Sequence, residues 1–205
     1  MITRESQQMF NFALTMKRIR IALFISGNGS NARNIINYFE NHAQISISLV
    51  LSSAENGLMD GFCRERAILF AHPTGIEGDT YLKFCQEEEI DWVILAGYLK
   101  KIPIDFINAF PDRIINIHPA LLPNFGGKGM YGKHVHEAVA KSSVRFSGIT
   151  IHLVNEEFDK GKMLAQFAVL LTNPSSAQEI EGQVRSLEIA HFPSVIDSVL
   201  LDSIL

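Results

Sequence analysis

The sequence predicts an α/β domain built on a doubly wound, mostly parallel sheet with helices on both faces. Three observations carry this prediction. Short apolar runs rich in β-branched residues recur along the chain, segments with helical spacing of apolar residues separate them, and glycines join the first such pair. The 205 residues, 47% hydrophobic and 20% charged, suit one globular unit, and no Ser/Gly/Pro linker or charge block marks a second. Residues 1–15 precede the first strand and read as a loose N-terminal extension, which leaves 16–205 as a single domain.

Residues 19–26 (IRIALFIS) read as a buried strand ended by Gly27, Asn28 and Gly29. Ala32, Ile35, Ile36 and Phe39 then repeat at helical spacing up to Glu40, with Ser30 or Asn31 as the expected cap. Residues 45–52 form a second strand, 68–72 a short third, 79–89 a helix capped by Asp79, and 92–96 a fourth strand. A short helix follows Pro103, and 113–118 (RIINIH) form a fifth strand that Pro119 stops, because proline cannot donate to a ladder. Residues 132–141 read as helix, 148–154 and 163–170 as strands, and 177–200 as a terminal helix with a bend expected at Pro193.

A formal charge of -4 without a run of Lys and Arg argues against non-specific nucleic-acid or anionic-membrane binding, which needs a basic footprint. No apolar stretch reaches the roughly 18 residues of a membrane span, and the N-terminal segment has no charged-then-apolar secretion pattern, so a cytoplasmic protein is expected. Cys63 and Cys85 form no C-x-x-C pair and read as reduced packing thiols.

Three pieces carry chemistry. Gly27–Ala32 matches G-x-G-x-x-A between a strand and a helix, where glycines let the backbone approach an anion and the helix start offers free N–H groups. A dinucleotide site would also want an acidic residue at the end of the second strand, yet Leu51, Ser52 and Ser53 stand there, so a phosphate monoester fits better than NAD. A tight turn with no ligand is the alternative. Asn116 and His118, two positions apart in a strand, share a face at the carboxyl end of the sheet. An amide donor beside an imidazole suits oxyanion stabilisation and proton transfer; a strand-end histidine bonded to a loop carbonyl is the plainer reading. Asp159, in Phe158-Asp159-Lys160-Gly161, offers a carboxylate to orient His118 and raise its pKa, or simply caps its own turn. His134 and His136 near Glu137 suggest a metal site, but on a helix they lie about 200° apart and do not converge.

Together with ILAGYL at 94–99, RIINIHPALLP at 113–123 and GITIHLVNEEFDKG at 148–161, these pieces resemble the glycinamide ribonucleotide formyltransferase family, the folate-dependent enzymes of purine synthesis. The resemblance runs from about residue 17 to 199 and implies a formyltransferase fold with a Rossmann-like N-terminal half. It implies transfer of a formyl group from 10-formyltetrahydrofolate, a co-substrate, to the amine of 5'-phosphoribosylglycinamide, with no metal. Asn116, His118 and Asp159 match the family's catalytic residues, His118 being held by Asp159 and cationic during the step. Gly29, Ser30 and Asn31 match the phosphate-binding segment, with Arg185 as an added cation, and Glu188 matches a substrate-contacting Glu. The folate is expected between Tyr98, Leu99, Lys100, Lys101 and Ile102 on one side and Asn155, Glu156 and Glu157 on the other. Small-molecule substrates, no nucleic acid, no membrane, and a monomer or homodimer complete the implication.

The chain departs from the family pattern at several points. Lys100 stands where an Arg is common, Ser53 where an Asn is common, and Arg185 where Gln or Lys is common. The glycine-rich loop 124–133 (NFGGKGMYGK) is expected to act as a flexible substrate lid. A deformylase or sugar N-formyltransferase would share Asn116, His118 and Asp159, whereas a non-catalytic nucleotide-binding module would keep the glycines without needing that set.

Overall fold

The computed structural model describes residues 18–73, 78–172 and 176–203. The expected extension 1–15 lies outside them. Within the described residues a seven-stranded sheet runs in the order β3-β2-β1-β4-β5-β6-β7. Its strands are β1 (Ile19–Ile25), β2 (Ile45–Ser52), β3 (Leu69–Ala71), β4 (Trp92–Leu95), β5 (Ile114–His118), β6 (Phe146–Leu153) and β7 (Met163–Leu170). The first five pair in parallel, and β6 and β7 join antiparallel. Central β1 and β4 are apolar because helices cover both faces: every residue of β4 is buried, and of β1 only Arg20 is not.

Two cores sandwich the sheet. On one face Ile21, Leu23, Ile115 and Ile151 pack with α1 (Ser30–Phe39) and α6 (Ala177–Asp202). On the other, Ala22, Phe24, Val93 and Ile114 pack with α3 (Gly78–Glu87) and α4 (Ile104–Ala109). Helix α2 (Gly57–Arg64), which the apolar spacing does not announce, buries Met59 and Cys63 alone. Helix α5 (Lys133–Lys141) follows the glycine-rich loop. No helix among the described residues is long and apolar enough to cross a membrane, and both cysteines are free and buried.

Several local expectations are corrected. Neither Ser30 nor Asn31 caps α1; the cap is Gly29, in the left-handed region at φ 73 and with no side-chain bond, which leaves the first N–H groups of the helix uncapped from below. Helix α3 begins at Gly78, so Asp79 lies in its first turn, where its charge favours the helix dipole without capping. Just past α3, Glu88 pairs with Arg20 at 2.8 Å and ties the helix end to β1. Helix α6 starts with a Ser176/Glu179 capping box and stays helical through Pro193. Proline has no N–H for the carbonyl of Ile189, and that carbonyl instead accepts Asn34 Nδ2 from α1 at 2.9 Å. The same α1 face presents Asn31 to Glu188 (2.9 Å) and Tyr38 to Asp197 (3.1 Å), so α1 is stitched along α6.

Candidate active site

The strand order reverses between β1 and β4, the switch point at which open α/β sheets leave a crevice beyond their carboxyl ends. A cavity of about 570 Å³ opens there, lined by residues that include Ser30, Asn116, His118, Asp159, Arg185 and Glu188. Small hydroxyls join the strand ends here. Ser26 accepts the N–H of Leu99 at 3.0 Å and the hydroxyl of Ser53 at 2.7 Å, which joins the turn after β4 to the ends of β1 and β2. Ser53 thus serves in the loop anchor.

On the phosphate side only Ser30 of the three expected residues lines the cavity. Gly29 is buried, and a Cβ there would stand 3.0 Å from Met59 Sδ, so the close packing of α2 as well as the positive φ requires glycine. Asn31 turns its side chain to Glu188, whose pKa burial raises while the Asn31 bond and the Arg185 charge oppose the rise. On the other side, Tyr98 is buried against Phe24 and Tyr81, whereas Leu99 and Lys100 are exposed. Tyr98 through Ile102 and Asn155 through Glu157 line the cavity, and Lys101 Nζ lies 5.5 Å from the Phe158 ring centre.

The catalytic candidates follow from strand register. Asn116 and His118 project to the face opposite Ile115 and Ile117, and antiparallel β6 sets His152 across from Asn116 and Thr150 across from His118. Asp159 arrives from the β6–β7 connection with φ 57, an uncommon backbone state that places its carboxylate among the histidines. Its Oδ1 lies 3.5 Å from His118 Nδ1 and 3.7 Å from His152 Nε2. Its Oδ2 accepts Gly127 N–H at 2.8 Å, so Asp159 caps the glycine-rich loop and not its own turn. Asn116 Nδ2 meets His152 Nε2 at 3.1 Å. The three residues singled out by sequence are therefore gathered, with His152 as the link between Asn116 and Asp159.

The glycine-rich loop packs on this cluster. His118 Nε2 lies 2.8 Å from the carbonyl of Phe125; a carbonyl only accepts, so Nε2 carries the proton and a neutral ring turns its bare Nδ1 to Asp159. The plainer reading of His118, a bond to a loop carbonyl, thus coexists with the carboxylate contact. Gly126 lets the loop lie close: a Cβ there would stand 2.4 Å from Leu122 Cδ2, which would have to shift, and 3.3 Å from Asp159 Cβ. The expectation of a raised His118 pKa is overturned. Burial pushes it below the ordinary value, and the Asp159 charge and the Phe125 bond only partly offset that loss of hydration. Asp159 is held below the usual carboxylate range; its burial works the other way and is outweighed by the neighbouring His152 and His118 and by the Gly127 N–H bond.

Sequence reasoning passed over His152 and the cavity-lining Glu181, and it named His136, which also lines the cavity, only as a metal candidate beside His134. Alternation in GITIHLV places His152 on one face with Thr150, yet what lies opposite depends on register. His136 is buried and held below its ordinary pKa, first by burial, whereas His134 is exposed and lies 3.8 Å from Glu137. Among the described residues no group of three or more His, Cys, Asp or Glu is placed to hold a metal ion.

Comparison with known proteins agrees with this architecture. The chain is 39% identical over 196 residues to phosphoribosylglycinamide formyltransferase, chloroplastic, from Vigna unguiculata, covering 91% of this chain and 62% of that one. It therefore spans less than two thirds of the plant relative's length. It is 31% identical over 194 residues to phosphoribosylglycinamide formyltransferase of Bacillus subtilis, covering 88% of this chain and 94% of that one. The crystal structure of phosphoribosylglycinamide formyltransferase from Anaplasma phagocytophilum superposes with a TM-score of 0.81 at 28% identity, over 91% of this chain and 88% of that chain. The sequence profile described as formyl transferase matches residues 19–196, nearly the whole described sheet and its helices, and the chain belongs to that family.

Proposed function

We propose that this protein transfers the formyl group of 10-formyltetrahydrofolate to the amine of 5'-phosphoribosylglycinamide, a step of purine biosynthesis. The observation that carries the reading is the gathering of Asn116, His118 and Asp159 in a cavity that is also lined by Ser30 at the open N-terminus of α1. An anion belongs at such a helix start, and Arg185 adds a cation beside it. The phosphate on Ser30 and its neighbours Gly29 and Asn31 would hold one end of the acceptor while Glu188 contacts the same substrate. The folate would enter between Tyr98, Leu99, Lys100, Lys101 and Ile102 and the wall of Asn155, Glu156 and Glu157, so that both reactants meet beside His118 and positioning replaces a bimolecular encounter.

The amine attacks the formyl carbon, and a tetrahedral oxyanion forms beside Asn116. As the C–N bond forms the amine loses a proton; Asp159, directly or through water, passes it to the bare Nδ1 of His118. The resulting imidazolium faces the oxyanion, a charge that burial disfavours at rest and the developing negative charge now favours. Collapse breaks the bond to N10 of the folate, which takes the proton and leaves as tetrahydrofolate. All these groups come from one chain, and the proposal includes a cytosolic setting in which Cys63 and Cys85 stay reduced. The test is incubation of purified protein with both substrates. Formylated product detected by mass spectrometry supports the reading; release of formate from the donor alone, independent of the acceptor, would identify a deformylase instead.

A further inference from the structure

His152 is buried, titratable and given no role by the steps above. It is 3% exposed and its two ring nitrogens have different partners. Nδ1 lies 2.8 Å from the carbonyl of its own neighbour, Leu153. Because a carbonyl oxygen only accepts, Nδ1 carries the hydrogen and Nε2 of the neutral ring is a bare acceptor. That acceptor is 3.1 Å from the side-chain amide of Asn116, held opposite by the β5–β6 register. A carboxamide presents either of two ends, nearly identical in shape and opposite in polarity. A bare ring nitrogen accepts from the NH2 end and repels the oxygen end. The chain of constraint therefore runs from the Leu153 carbonyl, through the ring of His152, to the orientation of Asn116.

We infer that His152 is a positioning residue that locks the Asn116 amide with its NH2 end toward the His118–Asp159 pair, so that an N–H and not a carbonyl faces the developing oxyanion. Asp159 Oδ1 stands 3.7 Å from the same Nε2, so the Asn116 amide nitrogen and the Asp159 carboxylate lie beside one ring nitrogen. With the amide reversed, Oδ1 would confront the oxyanion and a stabilising donor would become a repulsive acceptor. The groups facing His152 are Asp159 from the β6–β7 connection and His118 from β5. The inference rests on the proposed formyl transfer for its kinetic consequence, but not for its structural one.

The structural consequence is read first, in the intact wild-type protein. Histidine-selective 15N NMR should show His152 as the Nδ1–H tautomer; the Nε2–H tautomer would overturn the inference whatever the enzyme does. The kinetic consequence is read in His152→Leu, which lacks an acceptor, and His152→Gln, whose amide oxygen can accept the same N–H. For His152→Leu turnover should fall about 10- to 100-fold, less than the roughly 100- to 1000-fold expected for loss of an oxyanion donor outright. KM for both substrates should stay within about 3-fold, the sign of a transition-state effect. His152→Gln should recover most of the lost turnover. Wild-type turnover in a folded His152→Leu, or equal damage in two folded variants, would refute the role, and if His152→Leu fails to fold the tautomer decides alone. A wild-type protein showing the Nδ1–H tautomer but no formyl transfer would sink the functional reading and leave the amide lock standing.

Discussion

Replacing Asp159 by Asn isolates the charge of the carboxylate from its shape. Asn has nearly the same volume, tolerates the left-handed backbone at φ 57, and can keep the Gly127 N–H bond through its oxygen. Stability should therefore change by no more than about 1 kcal/mol. What disappears is the negative charge 3.5 Å from His118 Nδ1, between side chains that are 4% and 12% exposed. At an effective dielectric of about 20, two unit charges at that separation interact by about 5 kcal/mol. An imidazolium formed in the transition state loses that support, and each 1.4 kcal/mol or so is tenfold in rate, so turnover should fall by about 1000-fold or more. The same change removes the acceptor for the amine proton, a loss of about 100- to 10,000-fold by itself, and the two estimates overlap because one group supplies both effects. The measurement is single-turnover product formation, with phosphoribosylglycinamide affinity taken separately by calorimetry. Turnover within tenfold of wild type, or an affinity loss as large as the turnover loss, would show that Asp159 is not poised to take up or stabilise a proton.

Other outcomes follow from the same structure. Gly148→Ala sets a Cβ 2.0 Å from the Phe167 carbonyl oxygen in the β6–β7 ladder, where backbone cannot yield, and should cost about 3 kcal/mol or more in denaturant unfolding. Gly61→Ala, in helix α2 with nothing within 4 Å, should instead stabilise by about 0.5–1 kcal/mol; equal effects would contradict the packing argument. His118 and His136 are held below the ordinary imidazole value, so the unfolded chain protonates first. Their contribution is complete above about pH 6.5 and is lost as pH falls through their folded values, with Asp159 adding a further loss in stronger acid. Thermal melts between about pH 7 and pH 5 should show a falling Tm, reduced in slope in His136→Gln, and a flat profile would refute the sign. Zinc chelators should leave turnover intact; loss restored by zinc would revive the His134–His136 cluster. Lys100→Arg should tighten binding of a stable folate analogue or leave it unaltered, and a large loss would show that a lysine is specifically required.

Much of the fold was legible because the buried strands leave a period that needs no partner to be seen. Apart from Arg20, IRIALFI and WVIL are apolar since both faces of the sheet are covered, and Asn116 and His118 interrupt RIINIH two positions apart because they share one face. Helix α2 was not legible: it is eight residues long, carries Gly57 and Gly61, and buries two side chains, too few to set a period. Nor was the cap of α1, because Gly29 acts through backbone conformation and has no side chain to announce it.

The sequence by itself determined what depends on neighbours along the chain: the alternation of strands and helices, the glycines at the first turn, the shared face of Asn116 and His118, and the family to which these belong. Tertiary structure decided what depends on distance across it. Antiparallel register put His152 against Asn116, and the β6–β7 connection carried Asp159 to within 3.5 Å of His118. Helix docking joined Asn31 to Glu188 across 157 positions. The protonation of His118 belongs to the same class. A carboxylate neighbour alone would raise its pKa, yet burial under the 125–127 loop outweighs that neighbour, because loss of hydration depends on every atom packed around the ring and no local sequence pattern encodes that sum.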